Sequence, residues 1–210
     1  MNKSPNPGVN ETLDEKSVDP DPIKLFRRWF DDAIASGSRL PDATTLATAT
    51  KDGKPSARMV LLKQVDERGF VFYTNYRSVK AKELDENPRA ALVCYWSQLD
   101  RQVRVEGTVE RVSGAESDEY FRTRPRESQL GALASPQSEV IENREVLERG
   151  FHELAELYRD RPVERASHWG GYRVKPERIE FWSSRPGRLH DRILYHRQKD
   201  GSWTIARLAP

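Results

Sequence analysis

The chain has 210 residues, 36% of them apolar and 32% charged, with a mean hydropathy of −0.81. This length suits one domain able to bury roughly 70% of its unfolded surface, and the low apolar share points to an unfolded tail or to a core completed by a partner. The longest apolar run, Ala90 to Trp96, is far short of the ~20 residues of a membrane span, and a net charge of +2 is not the broad basic footprint of a nucleic-acid binder.

Residues 1–20 are polar and proline-bearing, without periodicity or an apolar signal segment, and read as a disordered arm of a cytoplasmic protein. Asp21 can cap and Pro22 can open a helix whose Phe26, Phe30, Ala33 and Ile34 share one face, ending near Gly37. Three strands follow as a meander: Thr45 to Thr50, then Ser56 to Val65 across an Asp52-Gly53 hairpin turn, then Phe70 to Thr74. Ser78 to Glu86 reads as a short helix and Ala90 to Trp96 as a buried strand holding the lone Cys94. From Gln102 to Val112 the alternation of Val103, Val105 and Val109 with Arg104, Glu106 and Glu110 predicts a strand with one wet face. A helix from Ser113 to Thr123 is broken at Arg124-Pro125-Arg126, and Glu139 to Arg159 reads as one long helix. Three last strands are expected at Tyr172 to Trp182, Arg188 to His196 and Trp203 to Leu208, with an Asp200-Gly201 turn between the final pair. Seven or eight antiparallel strands joined by short turns tend to close into a barrel. The chain therefore reads as mainly β with flanking helices, an arm over 1–20 and one domain over 21–210. No glycine-rich nucleotide turn or P-loop occurs.

The chemistry-bearing residues are mostly arginines: 25 of the 35 basic residues are Arg. Guanidinium groups hold planar anions in two-pronged geometry, so the excess suggests discrete anion sites, although genomic base composition is the plainer source of most of it. On the strand from Ser56, Arg58 and Lys63 point to opposite faces and could each hold an anion. Tyr73-Thr74, Ser78 and Lys80 at a helix start combine hydroxyls, free N–H groups and a cation. Tyr120, Arg124 and Ser128 recur every fourth residue and would satisfy several phosphate oxygens if they converged. On a strand, Arg188, His190 and Arg192 would project together, an arrangement for an anionic ring, and Trp182 just before them could stack on a flat cofactor. The other histidines have no metal-ligand spacing, so no metal is expected.

RMVLLK at 58–63, FYTN at 72–75, RPRESQLGALASPQS at 124–138, WGGYRV at 169–174, EFW at 180–182, RLHDR at 188–192 and the closing RLAP occur in order. Together they make the chain, from about Asp21 to Pro210, resemble the pyridoxamine 5′-phosphate oxidase family. The resemblance implies an antiparallel FMN-binding split β-barrel and a homodimer with FMN at the interface. FMN contacts would come from Arg58, Met59, Val60, Leu61, Lys63, Tyr73, Thr74 and Lys80, completed by Gln102, Gln137, Ser138, Trp182 and Arg192. The substrate phosphate would meet Lys63, Tyr120, Arg124 and Ser128, and the catalytic contacts to the pyridine ring would be Arg188 and His190. The implied reaction oxidises the 4′ carbon of pyridoxine or pyridoxamine 5′-phosphate to pyridoxal 5′-phosphate, with dioxygen as acceptor and hydrogen peroxide as product. Alternatives are a flavin oxidase of the same fold acting on another aromatic, as in phenazine biosynthesis, and a non-catalytic FMN- or pyridoxal-phosphate-binding protein. Two departures stand out. The family's Arg-Lys pair is Val79-Lys80 here, which removes a phosphate cation for which nearby Arg77 is the candidate replacement, and residues 1–20 lack the basic stretch with Glu-Tyr that the family tends to carry in its arm.

Overall fold

Asp21 accepts the backbone N–H of Ile23 at 2.9 Å and Pro22 takes the first turn, so helix α1 runs Pro22–Ala35 as expected. Its buried face sets Phe26 edge-on against Phe70 at 5.0 Å and Trp29 edge-on against Phe181 at 5.2 Å. These contacts anchor the helix to a barrel interior built from residues far along the chain. The computed structural model describes residues 12–210.

The strands are β1 (Ala43–Ala49), β2 (Pro55–Asp66), β3 (Gly69–Asn75), β4 (Arg89–Trp96), β5 (Arg101–Arg111), β6 (Trp169–Ser183), β7 (Asp191–Arg197) and β8 (Trp203–Arg207). All pair antiparallel in the order β3-β2-β1-β4-β5-β6-β7-β8, and a further β3–β6 pairing closes the first six into a barrel. The expected closure is therefore real, but β7 and β8 lie outside the ring and extend it from the far half of β6. Both Asp-Gly turns form, with Gly53 and Gly201 at φ +86 and +87, a left-handed backbone that glycine adopts without steric cost. Closure depends on Gly170 and Gly171. A Cβ on Gly170 would lie 2.2 Å from the hydroxyl of Tyr76, and one on Gly171 would lie 2.7 Å from Val112 and 2.8 Å from Tyr73.

Alternation along β4 and β5 fills the barrel with Leu92, Cys94, Trp96, Val103 and Val105. Burial pushes the Cys94 thiol up to about 11, so it packs as a small apolar group beside Thr44. A second, smaller core of Phe121, Leu130, Val163 and Trp169 lies among the helices. Those helices are α2 (Val79–Glu86), α3 (Gly114–Thr123), α4 (Arg126–Ala134) and α5 (Arg144–Leu157). No helix of the described residues is long and apolar enough to cross a membrane.

Four expectations need correction. The break at Pro125 is real, but the chain restarts there as α4, with Pro125 at its N-cap. The helix expected from Glu139 begins only at Arg144, where Asn143 caps it by accepting from Val146 N–H. Arg188 and His190 are not on a strand, because Pro186 and Gly187 (φ 67) turn the chain and β7 starts at Asp191. Residues 12–20 of the expected arm are ordered: Leu13 is 2% exposed within the core, and Tyr195 donates its hydroxyl to Asp19 O at 2.7 Å. The single leucine of that polar stretch finds an apolar pocket, and its neighbours' carbonyls find donors. The rest of the arm, 1–11, lies outside the described residues.

Candidate functional site

A bulge in β2 aims the first site residue. Leu62 pairs with Phe72 and Gln64 with Val71, so Lys63 is the extra residue, and such bulges re-aim side chains. Its ammonium lies 2.7 Å from the Asp42 carboxylate at the mouth of a cleft of about 470 Å³. Lys63, Tyr73, Thr74, Tyr120, Arg124, Ser128 and Gln137 all line this cleft, with Leu61 and Trp169. Tyr120, Arg124 and Ser128 do converge, although Tyr120 belongs to α3 and Ser128 to α4. Pro125 bends the chain between them and Arg124 occupies the corner.

Aromatic rings wall the cleft. Tyr73 stacks on Tyr120 at 4.0 Å and 18°, and on Trp169 at 5.4 Å and 10°. Burial, with Glu116 nearby, pushes the Tyr73 phenol up to about 12, so it stays neutral. The Arg124 guanidinium lies 4.7 Å from the Trp169 ring. Among the described residues its Nη1 is buried without a hydrogen-bond partner, and burial lowers its pKa. A buried donor of this kind is rare in folded chains and calls for an acceptor.

Beneath the cleft, Lys80 donates to Thr74 Oγ1 at 3.1 Å, Ser78 Oγ at 3.3 Å and Gln137 Oε1 at 3.0 Å, all neutral oxygens. Burial and then repulsion from Arg58 bring its pKa down to about 8, with Glu83 pulling the other way. Arg58 faces inward from β2, opposite Lys63, and its guanidinium lies 3.1 Å from the Glu83 carboxylate of α2. Met59 is exposed on the outer face, Val60 packs inward against the core, and Ser138 follows Gln137 with a left-handed backbone at φ +74.

The remaining expected residues form a second cluster. Gln102, Trp182 and Arg192 are lateral neighbours across β5, β6 and β7, and the His190 ring lies 4.7 Å from Trp182. Arg192 is tied to Glu180 at 2.8 Å, and Arg188 is exposed in the turn before β7. Thr74 pairs with Gly170 at one end of β6 and Gln102 with Trp182 at the other. The clusters are thus separated by roughly 40 Å of extended strand.

Sequence reasoning missed three residues. Asp42 is the carboxylate on Lys63, Trp169 is the platform under Arg124, and Glu83 is the anchor of Arg58. Only Trp169 carried a signal, as an aromatic beside the Gly170-Gly171 pair.

Residues 30–158 match the family model described as pyridoxamine 5′-phosphate oxidase, and residues 169–210 match the pyridoxine 5′-phosphate oxidase C-terminal dimerisation region. A pyridoxine/pyridoxamine 5′-phosphate oxidase of Rubrobacter xylanophilus is 60% identical over 198 residues, covering 94% of this chain and 91% of that protein. One of Trichormus variabilis is 56% identical over 200 residues, covering 95% and 94%. PhzG of Burkholderia lata, solved with tetrahydrophenazine-1-carboxylic acid, has a TM-score of 0.91 at 31% identity, over 97% of this chain and 100% of PhzG. A pyridoxamine 5′-phosphate oxidase-related FMN-binding protein of Nostoc punctiforme shares the fold, with a TM-score of 0.72 at 18% identity over 92% of this chain and 100% of that one. On this identity, and on a barrel of the same architecture, the chain belongs to the pyridoxamine 5′-phosphate oxidase family, whose enzymes are FMN-dependent oxidases.

Proposed function

We propose that this chain oxidises pyridoxine and pyridoxamine 5′-phosphate at the 4′ carbon to pyridoxal 5′-phosphate, with dioxygen as the final acceptor and hydrogen peroxide as the second product. The observation that carries this reading is Arg124, whose buried Nη1 lacks a partner among the described residues in a cleft shared with Lys63, Tyr120 and Ser128. Two cationic groups and two hydroxyls suit the oxygens of a phosphate ester. These four residues are assigned to the substrate phosphate.

The residues also fit FMN. Among the described residues Lys80 is a buried ammonium hydrogen-bonded only to neutral oxygens, and a buried charge of this kind favours an anionic partner. Lys80, Thr74, Gln137 and Ser138 would hold the FMN phosphate side. Residues 58–61, Lys63 and Tyr73 would line its path, and Gln102, Trp182 and Arg192 would complete the site. When bound, FMN supplies the hydride acceptor that no side chain can provide. The protein binds and orients: Arg188 and His190 face the pyridine ring, and the phosphate anchor fixes its distance. The separation of the two clusters along β6 supports a homodimer in which each FMN site draws on both subunits. Trp182, Arg188, His190 and Arg192 all fall within the dimerisation region of the family.

The test is anaerobic. Purified protein should be yellow, bleach when pyridoxine 5′-phosphate is added, and regain colour with hydrogen peroxide formation when oxygen enters. Flavin that stays oxidised would leave a binding protein. The likeness to PhzG supports a second reading, an oxidase of reduced phenazine carboxylates. Bleaching by such a compound, but not by pyridoxine 5′-phosphate, would favour it.

A further inference from the structure

Asp191 opens β7 with its carboxylate buried between two guanidinium groups. Its Oδ2 accepts from Arg185 Nε at 2.6 Å and its Oδ1 from Arg207 Nη1 at 2.9 Å. Arg185 and Asp191 are the two ends of the turn 185–191, so this ion pair closes the turn like a clasp. Within it, Gly187 and Arg188 both adopt the left-handed backbone, at φ 67 and 62. Glycine does so freely, but an arginine keeps this conformation only where its surroundings hold it.

The clasp also orients His190. The backbone N–H of Arg185 donates to His190 Nδ1 at 3.1 Å. A nitrogen that accepts a hydrogen bond carries no proton, so the ring proton of the neutral imidazole is on Nε2. The ring packs beside Trp182. From outside the turn, Arg207 ties the clasp to the N-terminal segment, donating to Glu15 Oε2 at 2.9 Å and to Leu13 O at 2.7 Å.

We infer that Asp191 is a positioning residue: held by Arg185 and Arg207, it fixes the turn so that Arg188 and His190 meet the substrate ring, with His190 as an Nε2–H donor. This rests on the substrate reading above. Asp191 reaches the substrate only through the turn, so it acts on the ring and leaves the phosphate cleft unchanged.

The experiment uses the FMN-loaded protein and two probes, inorganic phosphate for the cleft alone and pyridoxal 5′-phosphate for cleft plus ring. Asp191→Asn should weaken pyridoxal 5′-phosphate about tenfold or more, the scale of one charge-assisted hydrogen bond. Inorganic phosphate and FMN should bind as before, and Asp191→Glu should recover part of the loss. Arg185→Gln, which opens the clasp but leaves the Arg207–Asp191 pair, should repeat the effect. In 15N-labelled protein, His190 should show the Nε2–H tautomer in the wild type and exchange between tautomers in Asp191→Asn. Unchanged binding of pyridoxal 5′-phosphate in both variants would overturn the inference, as would parallel losses of phosphate, FMN and pyridoxal 5′-phosphate. A wild-type protein that binds pyridoxal 5′-phosphate but is not bleached by pyridoxine 5′-phosphate would refute the catalytic reading while leaving the positioning role measurable.

Discussion

Lys80 donates from its ammonium to the side-chain oxygen of Gln137 at 3.0 Å, joining the start of α2 to the segment that follows α4. The bond brings together two residues that the family resemblance assigns separately to FMN. It also places a buried cation, with its pKa brought down to about 8, where an anion is expected.

The FMN affinity should therefore depend on pH in a defined direction. Below pH 8 Lys80 is charged and attracts the phosphate fully. Above it the apoprotein loses that charge, and FMN must restore the proton on binding, so affinity should fall as pH rises from 8 towards 10. The stability of the apoprotein should move the opposite way. The folded pKa lies below the ordinary 10.5, so the unfolded chain binds more protons in that window and stability rises with pH. Titrating FMN fluorescence quenching between pH 6.5 and 10 checks the first, and urea unfolding of the apoprotein checks the second. Lys80→Met should flatten both profiles, and an unchanged profile in that variant would assign the titration elsewhere.

Val79 is 46% exposed at the first position of α2, beside Lys80. Val79→Arg should tighten FMN binding, since one charge-assisted hydrogen bond contributes ~1.5–3 kcal/mol, or roughly 10–150-fold. Arg77 donates its backbone N–H to Asn75 Oδ1 at 2.8 Å, and its charge acts on His168, whose pKa is lowered first by burial and then by Arg77. An unchanged dissociation constant in Val79→Arg would show that another cation already serves the phosphate.

Glu83 should matter to stability. Burial alone would raise its carboxyl, but hydrogen bonds from Thr48, Ser56 and Arg58 outweigh it and hold the group below its ordinary value. Glu83→Gln leaves a mostly buried Arg58 without its counter-ion, a loss of about 2 kcal/mol once partial exposure is allowed for. That corresponds to roughly 4–8 °C in the melting temperature of the apoprotein. The sign in pH follows from the lowered pKa: the deficit should be full above about pH 5 and shrink as pH falls and the wild-type carboxyl protonates. Calorimetry at pH 7 and pH 4 tests it, and equal deficits at both would remove the ion pair as the cause.

Much of the barrel was legible because its signals are local. The Asp-Gly turns, the alternation of Val103 and Val105, and the Asp21-Pro22 start each declare themselves within a few residues. What stayed hidden depends on a partner far along the chain. Lys63 looks like one more alternating residue of β2, and only its pairing with β3 makes it a bulge. Asp42 carries no mark of its partner, 21 residues away. Proline at 125 reads equally as the end of one helix and the start of another. Arg188 alternates with His190 and Arg192 as a strand residue would, and the Pro186-Gly187 turn that takes it off the sheet is closed by an ion pair between Arg185 and Asp191 that no local pattern announces.

Arg124 gives the sharpest test of the site itself. Its guanidinium is fixed over Trp169 and Phe121, so truncation removes both a charge and a packed plane. Arg124→Ala should raise the KM for pyridoxine 5′-phosphate by roughly 10–150-fold, the range for one charged hydrogen-bonding partner. Arg124→Lys should recover little, because an ammonium cannot match the planar fork of the guanidinium. Removing a buried donor that lacks a partner among the described residues also relieves a cost, which offsets the lost packing over Trp169 and Phe121. The free protein should therefore lose little stability, even as substrate binding fails. That split separates a binding residue from a structural one: steady-state kinetics and thermal unfolding on the same preparations would show it. A variant with an unchanged KM, or one whose KM rises only in step with a falling melting temperature, would take the phosphate away from Arg124.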